Sequence, residues 1–220
     1  MDIVYEDNHI IVVNKRPGEI VQGDKTGDTP LSEMVKEYIK EKYHKPGNVF
    51  CGVVHRIDRP VEGLVIFART SKALERLNRM LRDGEIHKTY HALVEGKPDE
   101  LEGLLENYLI SDGRINKTFI TSPETPGAKK ACLKYKTLAV GDRYSLLEIN
   151  LLTGRKHQIR AQLSATGHPI KGDLKYGARR SNPDGGISLQ AHKIEFIHPV
   201  SKEQISIELP ELKTPLNKNS

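Results

Sequence analysis

Residues 132–152, CLKYKTLAVGDRYSLLEINLL, decide the fold class. Two β-rich runs flank the short turn signal GDR, a pattern that predicts an antiparallel hairpin. Similar strand pairs are predicted at the start of the chain, over residues 1–22, and near its end, over residues 187–210. Further strands are predicted at 63–70 and 87–96, and the turn-rich stretch 101–130 is expected to form a hairpin or a flexible flap.

Helices are fewer than strands. Residues 29–43 and 71–86 show helical spacing of apolar residues, with Thr29 and Ser71 as expected N-caps. A third helix is expected after the turn within 153–167. Because the strands follow one another mostly as hairpins, the sequence predicts an α+β fold with a mixed, largely antiparallel central sheet and flanking helices. Residues 1–212 are predicted to form a single domain, and 213–220 a frayed tail.

Composition excludes several classes of protein. No apolar run approaches the 18 or so residues of a membrane helix. The N-terminus is acidic before its first apolar run, unlike a secretory signal, and the only cysteines, Cys51 and Cys132, suit reduced thiols, so we expect a cytoplasmic protein. The histidines show no metal-ligand spacing, and glycine-rich phosphate motifs are absent from the sequence. The net charge of +5 favours an anionic partner such as nucleic acid, although many basic proteins bind none.

The first polar cluster is HRID, residues 55–58, which stands between apolar runs. Arg56 and Arg59 flank Asp58 and favour its ionised form, which a carboxylate nucleophile requires. The alternative is a structural ion pair or a turn residue, which the segment alone favours.

Two further clusters follow. In KTY, Lys88 and Tyr90 share one face of a strand; the tyrosine could stack on a nucleobase or move a proton, or simply pack in the core. TGRKHQIR collects four basic residues at a strand-to-helix junction. It could grip a phosphate, pair an arginine with a buried acid, or form a solvated helix start that opposes the helix dipole. These four residues are Arg155, Lys156, His157 and Arg160.

Taken in order, these motifs resemble the catalytic domain of the RluA-type pseudouridine synthases. The resemblance also rests on YEDNHIIVVNKRPG, Gly63, GHPIKGDLKYG and LQAHKIEFIHP, and it covers about residues 3–209. It departs from the family pattern at Val61-Glu62, where Thr-Ser is usual, and at Gln190, where histidine is usual.

The resemblance implies the pseudouridine synthase fold with a central catalytic cleft, and an isomerase that converts a specific uridine of tRNA or rRNA to pseudouridine after base flipping. By motif position, Asp58 would be the nucleophile, attacking either the ribose C1′ or the base. Tyr90 would stack on the base and could take the C5 proton, and Arg160, or else Arg155, would pair with Asp58.

The remaining motif residues are expected to bind the substrate or its surroundings. Arg56 would occupy space near the flipped nucleotide, while His157 and Gln158 would hold the local turn and Lys88 would lie beside the tyrosine. No cofactor, metal, membrane or protein partner is implied, RNA is the expected partner, and a monomer is the working expectation for the oligomeric state.

Two other functions stay open at this level. The same fold could serve as a non-catalytic RNA-binding module or chaperone, because the chain is basic and shows no separate RNA-specificity domain. A glycoside hydrolase with a carboxylate nucleophile would need a second carboxylate as its acid, and Glu62 is the nearby candidate. We expect Glu62 to point away from the uridine pocket.

Overall fold

A computed structural model of the protein describes residues 1–217. Within these residues the chain forms three α-helices and eleven β-strands. The helices are α1 (Leu31–Lys42), α2 (Ser71–Arg82) and α3 (Gln158–Ala165). The strands are β1 (Asp2–Glu6), β2 (Ile10–Lys15), β3 (Gly52–Val53), β4 (Glu62–Ala68), β5 (His87–Glu95), β6 (Glu102–Asp112), β7 (Lys117–Thr121), β8 (Lys129–Val140), β9 (Tyr144–Leu151), β10 (Leu189–Ile197) and β11 (Gln204–Glu208).

The chain divides into two compact units. The first comprises Met1–His87 and Ala191–Leu209, and the second comprises Lys88–Gln190 and the chain from Pro210 onward. Strands of the first unit lie in the order β1-β2-β4-β10, with β3 paired to β4 and β11 to β10. Strands of the second unit lie in the order β5-β9-β8-β6-β7, each paired antiparallel with its neighbour. The predicted α+β class with mostly antiparallel sheet is confirmed.

Helices cover both faces of the first unit's sheet. Alternate residues of β2 and β4 point to opposite faces of the sheet. Because nearly every residue in these strands is apolar, both faces must be covered. On one face Ile10, Val12, Leu64 and Ile66 pack with Ala73, Leu77 and Met80 of α2. On the other, Ile11, Val13, Val65 and Phe67 pack with Leu31, Val35 and Ile39 of α1.

The second unit is a series of hairpins with one helix against it. The predicted hairpin in 101–130 is confirmed: β6 pairs with β7, register Leu109 with Ile120. Helix α3 buries six successive residues, from Gln158 to Leu163. Its Ala161 packs with Leu109, Ala131 and Tyr176.

Both predicted helix caps were wrong. Thr70, not Ser71, caps α2, because its hydroxyl accepts the backbone N–H of Ala73 at 3.1 Å. Helix α1 has Pro30 at its N-cap and no side-chain cap at all. Backbone carbonyls from an earlier segment replace the cap, since Leu31 N–H donates to Ile20 O at 2.8 Å and Ser32 N–H to Val21 O at 3.2 Å.

The single-domain prediction for 1–212 stays a prediction. Within the predicted tail, Pro215–Asn217 form a 3-10 turn, and Leu216 packs beside Leu93, Leu146 and Leu212. Residues 218–220 lie outside the described residues. Among the helices that the structure describes, none is both long enough and apolar enough to cross a membrane.

Candidate active site

The HRID segment lies between β3 and β4 in the first unit and is fixed by hydrogen bonds. The buried His55 accepts the backbone N–H of Ile66 at its Nε2, at 3.2 Å. A turn follows Asp58, whose carbonyl accepts the N–H of Val61 at 3.0 Å. The segment is therefore fixed to β4 at His55 and closed by a turn after Asp58, and the half-buried carboxylate is held on a defined backbone.

The two arginines that flank Asp58 contact other groups. Arg59 forms an ion pair with Asp28. Arg56 is exposed, and its Nη1 lies 3.4 Å from Oε1 of Gln22. The charge environment of Asp58 is thus not set by its sequence neighbours alone.

Lys15, at the end of β2, is a buried cation that sequence analysis missed. Its side chain has no exposed surface, and Nζ donates to the carbonyls of Arg16 and Arg59 at 2.9 and 3.0 Å. Burial lowers the pKa of Lys15 to about 8, against the opposing attraction of Glu19, Asp58 and Glu62. At neutral pH the amine therefore stays mostly protonated. Its hydrogen bond to the Arg59 carbonyl stabilises the turn that follows Asp58. A lysine closing an entirely apolar strand, IIVVNK, was the available signal.

Gly63 explains the glycine that follows HRID in the motif. Its φ of +122° lies in a region that disfavours side chains, and an added Cβ would overlap the Ala191 backbone. The close approach of β4 to β10 therefore requires glycine at position 63. The same contact explains why the motif around Gly63 and the motif around Ala191 belong to one structural feature.

In the second unit, Lys88 and Tyr90 lie two residues apart on β5, as predicted. Tyr90 is buried, with Ile149 of β9 as its pairing partner. Burial also lowers the pKa of Lys88. The amine lies beside the TGR turn, because a Cβ built at Gly154 would be 3.9 Å from Nζ.

Gln158 organises the turn before α3. Its Oε1 accepts the hydroxyl of Thr153 at 2.8 Å and the N–H of Arg155 at 3.0 Å, and its Nε2 donates to Cys132 O at 3.1 Å. The Arg155 side chain is exposed, and its Nε donates to the carbonyl of Lys130 at 3.0 Å. One amide side chain thus ties the turn to β8.

Arg160 pairs with a buried acid, one of the alternatives drawn from the sequence. Its Nε donates to Asp173 Oδ2 at 2.7 Å and its Nη2 to Oδ1 at 2.9 Å. The two side chains are 6% and 1% exposed. Sequence analysis missed Asp173, although it lies within the motif GHPIKGD.

Tyr176 supports this pair from one side. The Arg160 guanidinium lies 4.8 Å from the centre of the Tyr176 ring. The Tyr176 hydroxyl accepts the N–H of Thr118 and is hydrogen-bonded to Nδ1 of His157, both at 2.8 Å. Because His157 has a left-handed φ of 51°, this contact holds the residue that starts α3 in an uncommon conformation.

Among residues 1–217 there is no group of three or more His, Cys, Asp or Glu side chains that could hold a metal ion. The first unit holds the half-buried Asp58 and the buried Lys15, and the second unit holds the buried Tyr90 and Arg160.

Comparison with known proteins decides the family. The model for RNA pseudouridylate synthases matches residues 9–165. The chain belongs to the RluA-type RNA pseudouridine synthases. Members of this family are isomerases that convert uridine to pseudouridine in RNA. All the predicted site residues, from Arg56 to Arg160, lie inside the matched segment.

Named relatives of this pseudouridine synthase act on two kinds of RNA. A ribosomal large subunit pseudouridine synthase C of Vibrio cholerae is 32% identical over 219 residues, covering 94% of this chain and 65% of the relative. A tRNA pseudouridine synthase C of Vibrio parahaemolyticus is 30% identical over 224 residues, covering 93% and 88%. The fold matches that of the human RNA Pseudouridylate Synthase Domain Containing 4, with a TM-score of 0.79 at 20% identity over 95% of this chain and 88% of that one.

Proposed function

We propose that this protein isomerises a specific uridine in tRNA or rRNA to pseudouridine, with Asp58 as the nucleophile after base flipping. The observation that carries the proposal is the ordered set HRID, KTY and TGRKHQIR inside the segment that matches the family model. A protein that only binds RNA needs none of these side chains in register.

The proposed chemistry needs no cofactor. The target uridine leaves its stack at a cost of a few kcal/mol, since a base within a helix cannot be reached. Asp58 attacks either the ribose C1′ or the base, and the C1′–N1 bond breaks. The base then rotates, a C1′–C5 bond forms, the bond between Asp58 and the substrate breaks and restores the carboxylate, and the C5 proton is lost while N1 gains one. A covalent intermediate divides this difficult exchange into easier steps.

Tyr90, Arg56 and Arg160 have supporting roles in the proposal. Tyr90 stacks on the uracil ring, which is worth about 1–3 kcal/mol per base, and could take the C5 proton. The exposed guanidinium of Arg56 occupies space near the flipped nucleotide. Arg160, or else Arg155, supplies the counter-charge for Asp58, and the Asp173 contact would keep Arg160 in position for it.

Four residues are proposed to hold the substrate. Lys88 and Arg155 offer positive charge beside the TGR turn. His157 and Gln158 act through the turn that they stabilise. RNA is the partner, no membrane or protein partner is needed, and the proposal places a monomer in the cytoplasm.

Replacing Asp58 tests the nucleophile. Asp58→Ala and Asp58→Asn are expected to lower pseudouridine formation by more than about 10³-fold, measured by carbodiimide modification and primer extension. The affinity for RNA should change less than about twofold, because phosphate contacts supply most of the binding energy. Asp83→Asn is the matched control, because its carboxylate is exposed at the end of α2.

The outcomes separate the alternatives. Full activity of Asp58→Ala would show that another residue attacks. Wild-type protein that binds RNA but releases no tritium from 5-tritiated uridine in RNA would instead be a non-catalytic RNA-binding module.

A further inference from the structure

The second unit contains a basic cavity whose lining includes none of the predicted site residues. Its volume is about 550 Å³. Arginines from two loops line it, one from the β8–β9 turn and two from the segment after Gly177. The lining includes Arg143, Arg179, Arg180, Tyr144, His168 and Glu95.

Hydrogen bonds fix the walls of the cavity. The backbone of Gly96 donates to Arg143 O and accepts the hydroxyl of the buried Ser145, both at 2.8 Å. The His168 ring lies with Nδ1 at 3.0 Å from Glu95 O, and the Arg179 N–H donates to Glu95 Oε1 at 2.9 Å. Four chain segments are thus joined around the end of β5, and hydrogen bonds within the protein hold the cavity in shape.

The cavity carries cations without partners. Within residues 1–217, neither the Arg143 nor the Arg180 side chain makes a hydrogen bond or ion pair. Arg179 is 91% exposed, and its Nε lies 3.7 Å from Glu95 Oε2. The lining therefore holds three arginines against the carboxylates of Glu95 and Asp142. One guanidinium group can donate two parallel hydrogen bonds to the oxygens of one phosphate. The excess of arginines over carboxylates in the cavity therefore suits phosphodiesters, each of which carries one negative charge.

Tyr90 and the cavity residue Glu95 lie on the same strand, β5, so the distance between them follows from the strand geometry. Tyr90 and Glu95 are five residues apart on the same strand, which is about 17 Å. Along one strand of an RNA helix, which rises somewhat less per nucleotide than the about 3.4 Å of DNA, that length corresponds to about five to six nucleotides. We propose that this cavity binds backbone phosphates of the substrate RNA about five to six nucleotides from the target uridine. The assignment to substrate RNA rests on the proposed function.

Removing the two unpartnered arginines tests the cavity. The double variant Arg143→Ala/Arg180→Ala is compared with Arg82→Ala/Arg114→Ala, whose side chains are 73% and 91% exposed outside the cavity. Binding of an unmodified tRNA transcript is measured by fluorescence anisotropy across a salt series. Any RNA of sufficient length can serve, since phosphate contacts carry no sequence information.

We expect the cavity variant to bind about tenfold more weakly, and its plot of log affinity against log salt to be shallower by about 2. The control variant should match wild type. On a stem-loop with a stem shorter than about five base pairs, the cavity variant and wild type should bind alike. An unchanged salt slope, or an equal loss in the control, would overturn the proposal. So would saturation by inorganic phosphate that leaves RNA binding intact, because the cavity would then be a small-anion site.

Failure of this inference differs from failure of the proposed function. If wild-type protein forms pseudouridine but the cavity variant binds RNA normally, the cavity plays no part and the activity stands. If wild-type protein forms none while the cavity variant loses affinity, the phosphate site stands and the catalytic proposal fails.

Discussion

At the scale of single residues, Arg160 and Asp173 show how a motif arginine is held. Their bidentate contact is almost fully buried, so neither group can hydrogen-bond to water. Each charge instead obtains these hydrogen bonds from its partner. Tyr176 lies against the guanidinium and prevents it from turning aside. The arginine can therefore keep one orientation at little further cost in side-chain entropy.

Asp173→Asn should destabilise the protein strongly. The amide keeps the shape but leaves the buried guanidinium without its counter-charge, so we expect the free energy of unfolding to fall by about 3–5 kcal/mol. Urea denaturation measures it. Asp112→Asn is the matched control, because its partner Arg114 is 91% exposed, and its loss of stability should be far smaller than that of Asp173→Asn. Equal losses in the two variants would contradict this argument.

Lys15 gives the protein a pH dependence with a defined sign. Below about pH 8 the amine is protonated both folded and unfolded, and the folded state bears the cost of burying the charge. Between that pH and the ordinary lysine pKa of about 10.4, only the folded protein releases the proton, so stability rises with pH.

Lys15→Met should abolish this contribution. The unfolding free energy of wild type minus that of the variant should grow by about 3 kcal/mol as the pH rises through this window. Denaturant titrations at several pH values measure the difference, and Lys36→Met, a partly exposed lysine on α1, should show no such trend. A difference that stays constant with pH would mean that Lys15 titrates normally.

Sequence motifs identified candidate segments, but not the partners of their side chains. HRID, KTY and TGRKHQIR mark the segments because their residue types are unusual between apolar runs. The acid that pairs with Arg160 lies 13 residues further on, across a loop, and Lys15 lies far earlier on another strand. Such pairings depend on tertiary packing, which local spacing does not encode.

At the scale of helices and strands, the types of element were predictable and their ends were not. Apolar periodicity identified α1, α2 and the hairpins. The start of α1 depends on carbonyls of Ile20 and Val21, which reach it from a separate segment. The start of α2 differs from the prediction by one residue, since two neighbouring hydroxyl residues were equally suitable caps by sequence.

Thr70→Ala tests the cap of α2. Loss of the hydroxyl leaves the Ala73 N–H without its acceptor, so the unfolding free energy should fall by about 1 kcal/mol. Ser71→Ala changes the adjacent exposed hydroxyl in the first helical turn, and it should cost less than about 0.5 kcal/mol. Thermal and urea denaturation of both variants give the comparison. A larger loss for Ser71→Ala would restore the cap that the sequence predicted.

At the scale of the whole molecule, composition indicated the class of partner and little about the division of the chain. No shift in composition marks residues 87–88 or 190–191, where the two compact units separate. The boundary falls inside continuous β-rich sequence, so periodicity cannot detect it. Net positive charge, by contrast, is a property of the entire chain and can be read directly from the sequence.

The charge of +5 predicts how RNA binding responds to salt. Each phosphate that the protein neutralises releases condensed counterions, so affinity falls as a power of the salt concentration. With about four phosphate contacts, binding of an unmodified tRNA transcript should weaken by about 10²-fold between about 50 and 200 mM salt. Filter binding across that range measures it. The single-turnover rate at saturating protein should change little over the same range, because the proposed attack by Asp58 involves no phosphate. An affinity independent of salt would mean that base stacking, rather than the basic surface, supplies the binding energy.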